Sequence, residues 1–295
     1  MPPWFRRRPV ASPKRRAPYL LSLPALLVFA ALLVTPLAMI AGLSFQAFDL
    51  NTGQIGGFTL GNYADTLGDP YYHTIFLRTV GIALATTAIC ILIGAPEAYF
   101  LSRMRAPWRS IFLIVTLSPL LISVVVRTLG WALLFGRNGV INQVLAALGL
   151  ASGPIPMLYT VQGVVIALVH VAVPFMVISV WAALQRLDPK VIRAASSLGA
   201  SEFTIFRRIV LPQVIPGILS GSLIVFALAA SAFATPAIIG GRQLKVVATA
   251  TYDEFLGTLN WPLGAAIAIV LLIVNAAIML TYNRIVERRY QRFAQ

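Results

Sequence analysis

The chain has 295 residues, of which 59% are hydrophobic and only 11% charged, and its mean hydropathy is +0.85. Soluble domains contain about a quarter charged residues, so this composition excludes a soluble protein and predicts a polytopic membrane protein. The net charge of +14 would suggest a nucleic-acid partner in a soluble protein. Here the basic residues lie between apolar segments, where they indicate membrane topology instead.

Six apolar segments are long enough to cross a hydrocarbon core of about 30 Å. In chain order these predicted spans cover 19–43, 76–101, 110–135, 159–184, 214–239 and 262–282. They form a transmembrane domain over 19–284, preceded by a basic tail over 1–18 and followed by a tail over 285–295. We predict polar loops over 45–75 and 240–261. The stretch 138–150 has apolar residues at helical spacing but is too short to cross, so we predict a helix lying on the membrane surface or against the bundle.

The basic residues alternate between the two sides of this predicted arrangement. Most of the 23 Lys and Arg residues fall in the two tails and in the loops 102–109 and 185–213. The positive-inside rule therefore predicts that both termini and the loop 185–213 lie in the cytoplasm. The remaining basic residues are expected on the outer side and are Arg78, Arg127, Arg137, Arg242 and Lys245.

The segment 188–212 is the only long stretch suited to the cytosol, and it reads as two short helices joined by a turn. Asp188 can cap the first helix, with Pro189 at its first position. Gly199 suits the left-handed residue that ends it. Ser201 can cap the second helix, with Glu202 in its first turn. Chain connectivity alone does not require such a structure, so we predict a docking element for another protein.

Several kinds of chemistry are missing from the sequence. It has no GxxxxGK[ST] phosphate loop, no HExxH motif and no Cys/His cluster, so we expect no ATP site, metal, cofactor or catalysis in this chain. The single cysteine, Cys90, is expected to be a small packing residue. His170 lies within the fourth span, where an ionisable group is a functional candidate, although a neutral histidine bonded to a neighbouring helix is the commoner case.

The segment 188–212 resembles the EAA loop of ATP-binding-cassette importer permeases. In that family EAA, three residues, Gly, nine residues and I-x-L-P follow one another. Here Arg193-Ala194-Ala195 is followed at the same spacing by Gly199 and by Ile209-Val210-Leu211-Pro212. The departure is Arg193, which stands where the family usually has Glu.

Four further stretches resemble permeases of the spermidine/putrescine type. They are Arg127-Thr128-Leu129-Gly130-Trp131, Trp181 to Pro189, Thr235 to Gly241, and Asn260 to Ala266. The likeness implies a multi-pass permease of the bacterial inner membrane with the type I importer permease fold. It also implies a polyamine as the solute, with iron, aminophosphonate, thiamine or opine as alternatives. It also implies four kinds of partner: a second, homologous permease chain, two cytoplasmic ATPases that hold ATP and Mg²⁺, an external solute-binding protein, and membrane lipid.

The resemblance places the ATPase-coupling function in the segment 188–212. Its small residues would let a partner backbone approach closely, and the apolar residues of its second half would bind a groove or pack on the bundle. Pro212 is expected to end the second helix before the fifth span. The predicted coupling residues are Arg193, Ala194, Ala195, Gly199, Phe203, Phe206, Ile209, Leu211 and Pro212.

Polar and aromatic residues in or beside the spans are candidates for the solute path: Arg127, Trp131, Glu97, Asp253 and Glu254. Each has an alternative role. Arg127 can be a structural arginine near the outer leaflet, and it suits a cationic polyamine poorly. Glu97 can pair two helices, while Asp253 and Glu254 can be solvated or can contact the binding protein. Two other functions stay open, an ion-gradient-driven transporter and a membrane scaffold that moves no solute.

Overall fold

The computed structural model of the chain describes residues 17–49, 51–150 and 153–293. The predicted basic tail 1–18 therefore lies almost wholly outside the described residues. The described chain is helical apart from one short β-hairpin. Its helices are α1 (Ala17–Leu43), α2 (Gly61–Gly68), α3 (Pro70–Arg103), α4 (Trp108–Leu117), α5 (Val124–Phe135), α6 (Val140–Ala147), α7 (Val161–Leu184), α8 (Pro189–Ser197), α9 (Glu202–Ile205), α10 (Leu211–Ala230), α11 (Val247–Tyr252) and α12 (Trp261–Phe293).

Six helical segments of the described chain are long and apolar enough to cross a membrane. They are Leu23–Leu43, Pro70–Arg103, Val124–Ala147, Val161–Leu184, Glu202–Ala230 and Trp261–Ile285. The predicted fold class, an all-α membrane protein with six spans, is confirmed. A helix is also present within the stretch 138–150, as α6, and it falls inside the third candidate span, Val124–Ala147.

The third span is not the continuous helix that the sequence predicts over 110–135. The structure divides it into α4, a 3₁₀ turn at Ser118–Leu121, an extended residue at Ile122 and then α5. Pro119 lies in the 3₁₀ turn and lacks a backbone N–H, so it cannot donate a hydrogen bond to the preceding turn of the helix. We call the stretch 118–123 the first break.

The fifth span differs from the predicted 214–239 at both ends. It begins at Glu202, because α9 runs through a π-helical turn at Phe206–Val210 into α10. The expectation that Pro212 ends this helix is wrong. The backbone N–H of Leu211 bonds Phe206 O, five residues back, and this widened turn lets the proline enter the helix. At the other end α10 stops at Ala230, and a second break over 231–235 leads to a π-helical turn at Pro236–Gly240.

Both of the predicted polar loops contain more structure than predicted. The loop 45–75 holds an antiparallel hairpin of β1 (Gln46–Phe48) and β2 (Ile55–Phe58), followed by α2 and the first turns of α3. The side-chain amide of Asn62 donates to the backbone oxygens of Ser44 and Gln46, at 3.0 and 2.8 Å, and ties α2 to the hairpin. The loop 240–261 holds α11 and a π-helical turn at Asp253–Gly257. The last helix continues through the predicted tail as far as Phe293.

The core is a three-helix packing of α3, α7 and α10, with α7 the most buried span. Gly217 of α10 makes the closest approach, because a Cβ there would lie 2.6 Å from Ala183 Cβ and 2.8 Å from Ser179 O. Small residues at such contacts are how helices associate closely in membranes. Cys90 is buried between α3 and α7, with its thiol 3.9 Å from Val169 O, so the predicted packing role is confirmed.

Candidate functional site

The helical hairpin over 188–212, which we call the coupling hairpin, is built by the caps that its sequence predicts. The Asp188 carboxylate accepts from the backbone N–H of Lys190 at 2.8 Å at the start of α8. Gly199 has φ +81° and turns the chain between α8 and α9. The Ser201 hydroxyl accepts from the backbone N–H of Thr204 at 3.3 Å. The local helix–turn–helix prediction is therefore confirmed.

The tip of the coupling hairpin presents small and apolar groups to the surroundings. Arg193 and Ala194 are exposed, Ala195 is half-buried, and Leu198 beside the turn is 88% exposed. Within the described parts of the chain Arg193 makes no ion pair. Arg193, Ala194 and Leu198 are therefore accessible to another protein in the isolated chain.

The predicted apolar stripe of the second helix is divided between two faces. Phe203 is 70% exposed, whereas Phe206 and Ile209 are half-buried against the core. The residues that anchor this helix are Ile205 and Val210, which are 3% and 2% exposed. Neither anchor was among the predicted coupling residues, because Ile205 and Val210 lie five residues apart across the π-helical turn. The predicted residues Phe203, Phe206 and Ile209 instead follow one another at three-residue spacing. Leu211 and Pro212 lie on the exposed side as α10 begins.

Polar and aromatic contacts attach the coupling hairpin to the end of α3. The Phe206 and Tyr99 rings meet edge to face with centroids 5.0 Å apart. Arg103 pairs with Glu202 at 3.4 Å, and its guanidinium lies 4.7 Å from the Tyr99 ring centroid. Both members of the ion pair are exposed, so the pair itself contributes little free energy. The edge-to-face contact of Phe206 and Tyr99 therefore connects the hairpin to α3.

A second feature is a cavity of about 300 Å³ at the place where the two breaks meet. Ile122 of the first break and Phe233, Ala234 and Thr235 of the second line one part of it. Side chains of α7, including Phe175, line another part. Interrupted helices of this kind frame the solute sites of many transporters, since their free backbone ends supply polar groups inside the bilayer.

Arg127 is the charged residue in the lining of this cavity, and it is only 8% exposed. Its Nη1 donates to the backbone oxygen of Pro119 and, at 3.3 Å, to that of Ile122. Its Nε is buried without a hydrogen-bond partner. Arg127 thus supplies donors to carbonyl groups that the first break leaves unpaired. Arg127 therefore has the structural role that was predicted as its alternative, and it also lines the cavity.

The other predicted path residues within the spans, Trp131 and Glu97, do not line this cavity. The Trp131 indole N–H donates to His170 Nδ1 at 3.2 Å, which confirms the expectation of a histidine bonded to a neighbouring helix. Glu97 accepts a short hydrogen bond from the Thr116 hydroxyl and so joins α3 to α4. Of the five predicted path residues, Arg127 alone lines the cavity.

Asp253 and Glu254 lie at the opposite end of the chain's spans from the coupling hairpin, and both have partners. Asp253 pairs with Lys245 at 2.6 Å, and this hydrogen bond raises the pKa of Lys245 above its usual value. Glu254 accepts from the Tyr72 hydroxyl at 3.4 Å and from the Thr258 hydroxyl at 2.7 Å. Neither carboxylate is positioned at the cavity between the breaks. The part of the chain that the structure describes has no group of three or more His, Cys, Asp or Glu residues that could hold a metal ion.

Known proteins resemble this chain along nearly its whole length. Residues 18–292 match the family described as binding-protein-dependent transport system inner membrane component. The spermidine/putrescine transport system permease protein PotB of Salmonella typhimurium is 34% identical over 249 residues, which cover 84% of this chain and 86% of that protein. The PotB protein of Haemophilus influenzae is 31% identical over 272 residues, with 91% of each chain covered.

Among solved structures, a bacterial alginate transporter in complex with its pentasaccharide-bound periplasmic protein has the same fold. The TM-score is 0.75 with 18% sequence identity, and the match covers 92% of this chain and 94% of that chain. At this identity the likeness concerns the fold alone.

Proposed function

The chain belongs to the family of binding-protein-dependent transport system inner-membrane components, so it is a multi-pass permease subunit, and we propose that the solute it helps to import is a polyamine or a similar small organic molecule. The observation that carries the proposal is the match to two permeases named for spermidine and putrescine over most of both chains. Iron, aminophosphonate, thiamine and opine are the alternative solutes within the same transporter class.

The cavity between the two breaks is the proposed passage for the solute within this chain. The rings of Phe175 and Phe233 line it, and aromatic faces attract alkylammonium groups. The carboxyl end of α10 also faces it, and a helix carboxyl end carries a partial negative charge. Arg127 opposes a cationic solute, but its Nη1 is directed to the carbonyl oxygens of the first break. We therefore assign Arg127 the role of holding the break in place and assign no solute contact to Trp131 or Glu97.

The coupling hairpin is the proposed docking site for a cytoplasmic ATPase. Its exposed tip, with Ala194, Leu198 and Phe203, offers small and apolar groups to a groove, and its buried side is joined to α3 through Tyr99. In this arrangement both termini are cytoplasmic, as the basic loops predict. ATP and Mg²⁺ are held by two separate ATPase subunits, and their closure moves the hairpin and hence the spans between two conformations.

The assembly that we propose contains a second permease, which is a homologous but different chain, and an external binding protein that delivers the solute. The apolar surface of α1 supports a partner within the membrane, because its residues 23–39 are exposed in the isolated chain. An ion-gradient-driven transporter is less well supported. Such a transporter would use an intramembrane carboxylate, and Glu97, the candidate for that role, is bonded to Thr116.

Reconstitution tests this proposal directly. Proteoliposomes that contain this chain, its permease partner and the ATPases, with the binding protein supplied outside, should accumulate radiolabelled putrescine or spermidine only when ATP is enclosed. Uptake that persists without ATP but collapses with an uncoupler would overturn the importer assignment. Tight binding of a ferric, phosphonate or thiamine ligand by the binding protein, with no polyamine affinity, would overturn the solute and leave the importer assignment intact.

A further inference from the structure

A second cavity, of about 240 Å³, lies at the end of the bundle opposite the coupling hairpin and has a basic lining. It is bounded by the first turns of α3 and by the segment 242–245. Three of its lining residues are cationic, namely Arg78, Arg242 and Lys245. These are three of the few basic residues that the topology places outside. Their convergence on one cavity is not explained by membrane orientation, which favours basic residues on the other side.

Two features of the chain bring these cations together. Tyr71, Thr74 and Arg78 share one face of α3, because they follow one another at helical spacing. Arg78 Nη1 donates to Lys245 O at 3.0 Å, and the backbone N–H of Val247 donates to the Thr79 hydroxyl at 2.9 Å. The segment 242–245 is thus fixed to α3 by two hydrogen bonds, so the cavity is preorganised.

The positive charge of this cavity is only partly compensated. Asp253 pairs with Lys245 at 2.6 Å. Glu254, the next carboxylate along the chain, is already bonded to Tyr72 and Thr258. Within the residues that the structure describes, Arg78 and Arg242 form no ion pair. Guanidinium groups present planar, paired donors that match the geometry of a carboxylate.

We propose that this cavity receives an acidic side chain of the solute-binding protein when that protein docks on the permease. The position of the cavity favours a partner from the aqueous phase over a lipid headgroup. Ile75 in its lining is 2% exposed and packs in an inner cluster with Val247 and Ile267. Leu77, two residues further along α3, is 75% exposed and marks the helix face that is left for lipid or another permease. This inference rests on the proposed importer function and its orientation.

The test compares Arg242→Glu with Arg137→Glu in the complete transporter held in lipid nanodiscs. Arg242 is exposed and lines the cavity, whereas Arg137 is an exposed arginine that is also predicted outside but lies apart from the cavity. We measure the Kd of the solute-loaded binding protein at low and high salt. We expect Arg242→Glu to raise the Kd by about fivefold to tenfold at low salt, with a smaller difference at high salt, because a like charge replaces an unlike one. Arg242→Gln should produce a smaller increase, and Arg137→Glu less than about a twofold change.

The remaining outcomes decide against the proposal in distinguishable ways. An unchanged Kd for Arg242→Glu, with normal thermal unfolding, would overturn it, and so would an equal increase for Arg137→Glu, which would indicate a general electrostatic effect. An effect of Arg242→Glu that appears only in nanodiscs containing anionic lipid would assign the cavity to a lipid headgroup. If the binding protein fails to bind even the unaltered transporter, the importer assignment itself fails.

Discussion

The two sides of the second helix of the coupling hairpin should respond differently to truncation. Phe203 is 70% exposed, while Ile205, two residues further on, is 3% exposed. If the exposed side docks on an ATPase and the buried side anchors the hairpin, Phe203→Ala should weaken ATPase binding at unchanged stability. Ile205→Ala should instead lower the stability of the permease.

The magnitudes follow from these exposures. Burying a whole phenylalanine side chain is worth about 1.5–3 kcal/mol, so a ring that is still 70% exposed can contribute about 1–2 kcal/mol on docking. That free energy corresponds to roughly a 5- to 30-fold increase in the Kd of the ATPase. Replacing a buried isoleucine by alanine costs about 2–4 kcal/mol, because contacts are lost and a void remains.

Two measurements on one set of proteins check this prediction. The Kd of fluorescently labelled ATPase for nanodisc-held permease is measured by titration, and the thermal unfolding of the same permease is followed in parallel. Leu77→Ala is the matched control, since Leu77 is 75% exposed but lies at the other end of α3. The control should leave both quantities unchanged.

Either of two results would refute the reasoning. If Phe203→Ala leaves the ATPase affinity within about twofold of the unaltered value, the exposed ring contributes nothing to docking. If Ile205→Ala does not lower the unfolding temperature, the hairpin is not anchored through that side chain. Movement of the ATPase would then have to reach the spans through other contacts.

Three further predictions concern the spans and the loop 240–261. Arg127→Gln should leave the carbonyls of the first break without donors, which costs about 1–3 kcal/mol for each buried group. It should reduce solute uptake and the unfolding temperature without changing the solute affinity of the binding protein. Unimpaired uptake would contradict the positioning role. Gly217→Leu should destabilise the packing of α10 on α7 by at least about 1–3 kcal/mol, since a Cβ at this position would lie 2.6 Å from Ala183 Cβ. Gly81→Leu is the control and should be tolerated, because nothing lies within 4 Å of its Cβ position. Equal unfolding temperatures for the two variants would refute the close-contact argument. The pKa of Lys245 is raised by Asp253, so their pair stabilises the fold below the ordinary lysine pKa and loses its contribution as pH rises through the raised value. Because both side chains are partly exposed, Asp253→Asn should cost under about 1 kcal/mol of stability near pH 8 and nothing at high pH. A stability difference that persists at high pH would contradict this prediction.

The local design of the coupling hairpin was predictable from sequence because it depends on short-range interactions. The caps at Asp188 and Ser201 and the left-handed turn at Gly199 use groups within three residues of the atoms they satisfy. The six spans were predictable for a similar reason, since hydropathy summed over about 20 residues reflects transfer into the bilayer whatever the neighbours are.

Helix continuity was predicted poorly because a proline has opposite effects in different surroundings. Pro119 accompanies a break, and Arg127 then supplies the donors that its neighbouring carbonyls lack. Pro212 enters a continuous helix, because a π-helical turn precedes it. Sequence alone gives the missing N–H in both cases, and it does not say which neighbouring group compensates for the loss.

The sequence by itself determined the membrane class, the number of spans, the family and the helix–turn–helix structure of the coupling hairpin. Each of these is encoded in composition, in local spacing or in a motif within one segment. The tertiary structure alone decided that Arg127 and the residues 232–235 share a cavity, that Ile205 and Val210 anchor the hairpin, and that Arg78, Arg242 and Lys245 converge. These sites join residues from about 100 to 170 positions apart, so they depend on how the helices pack, and no local pattern records that packing.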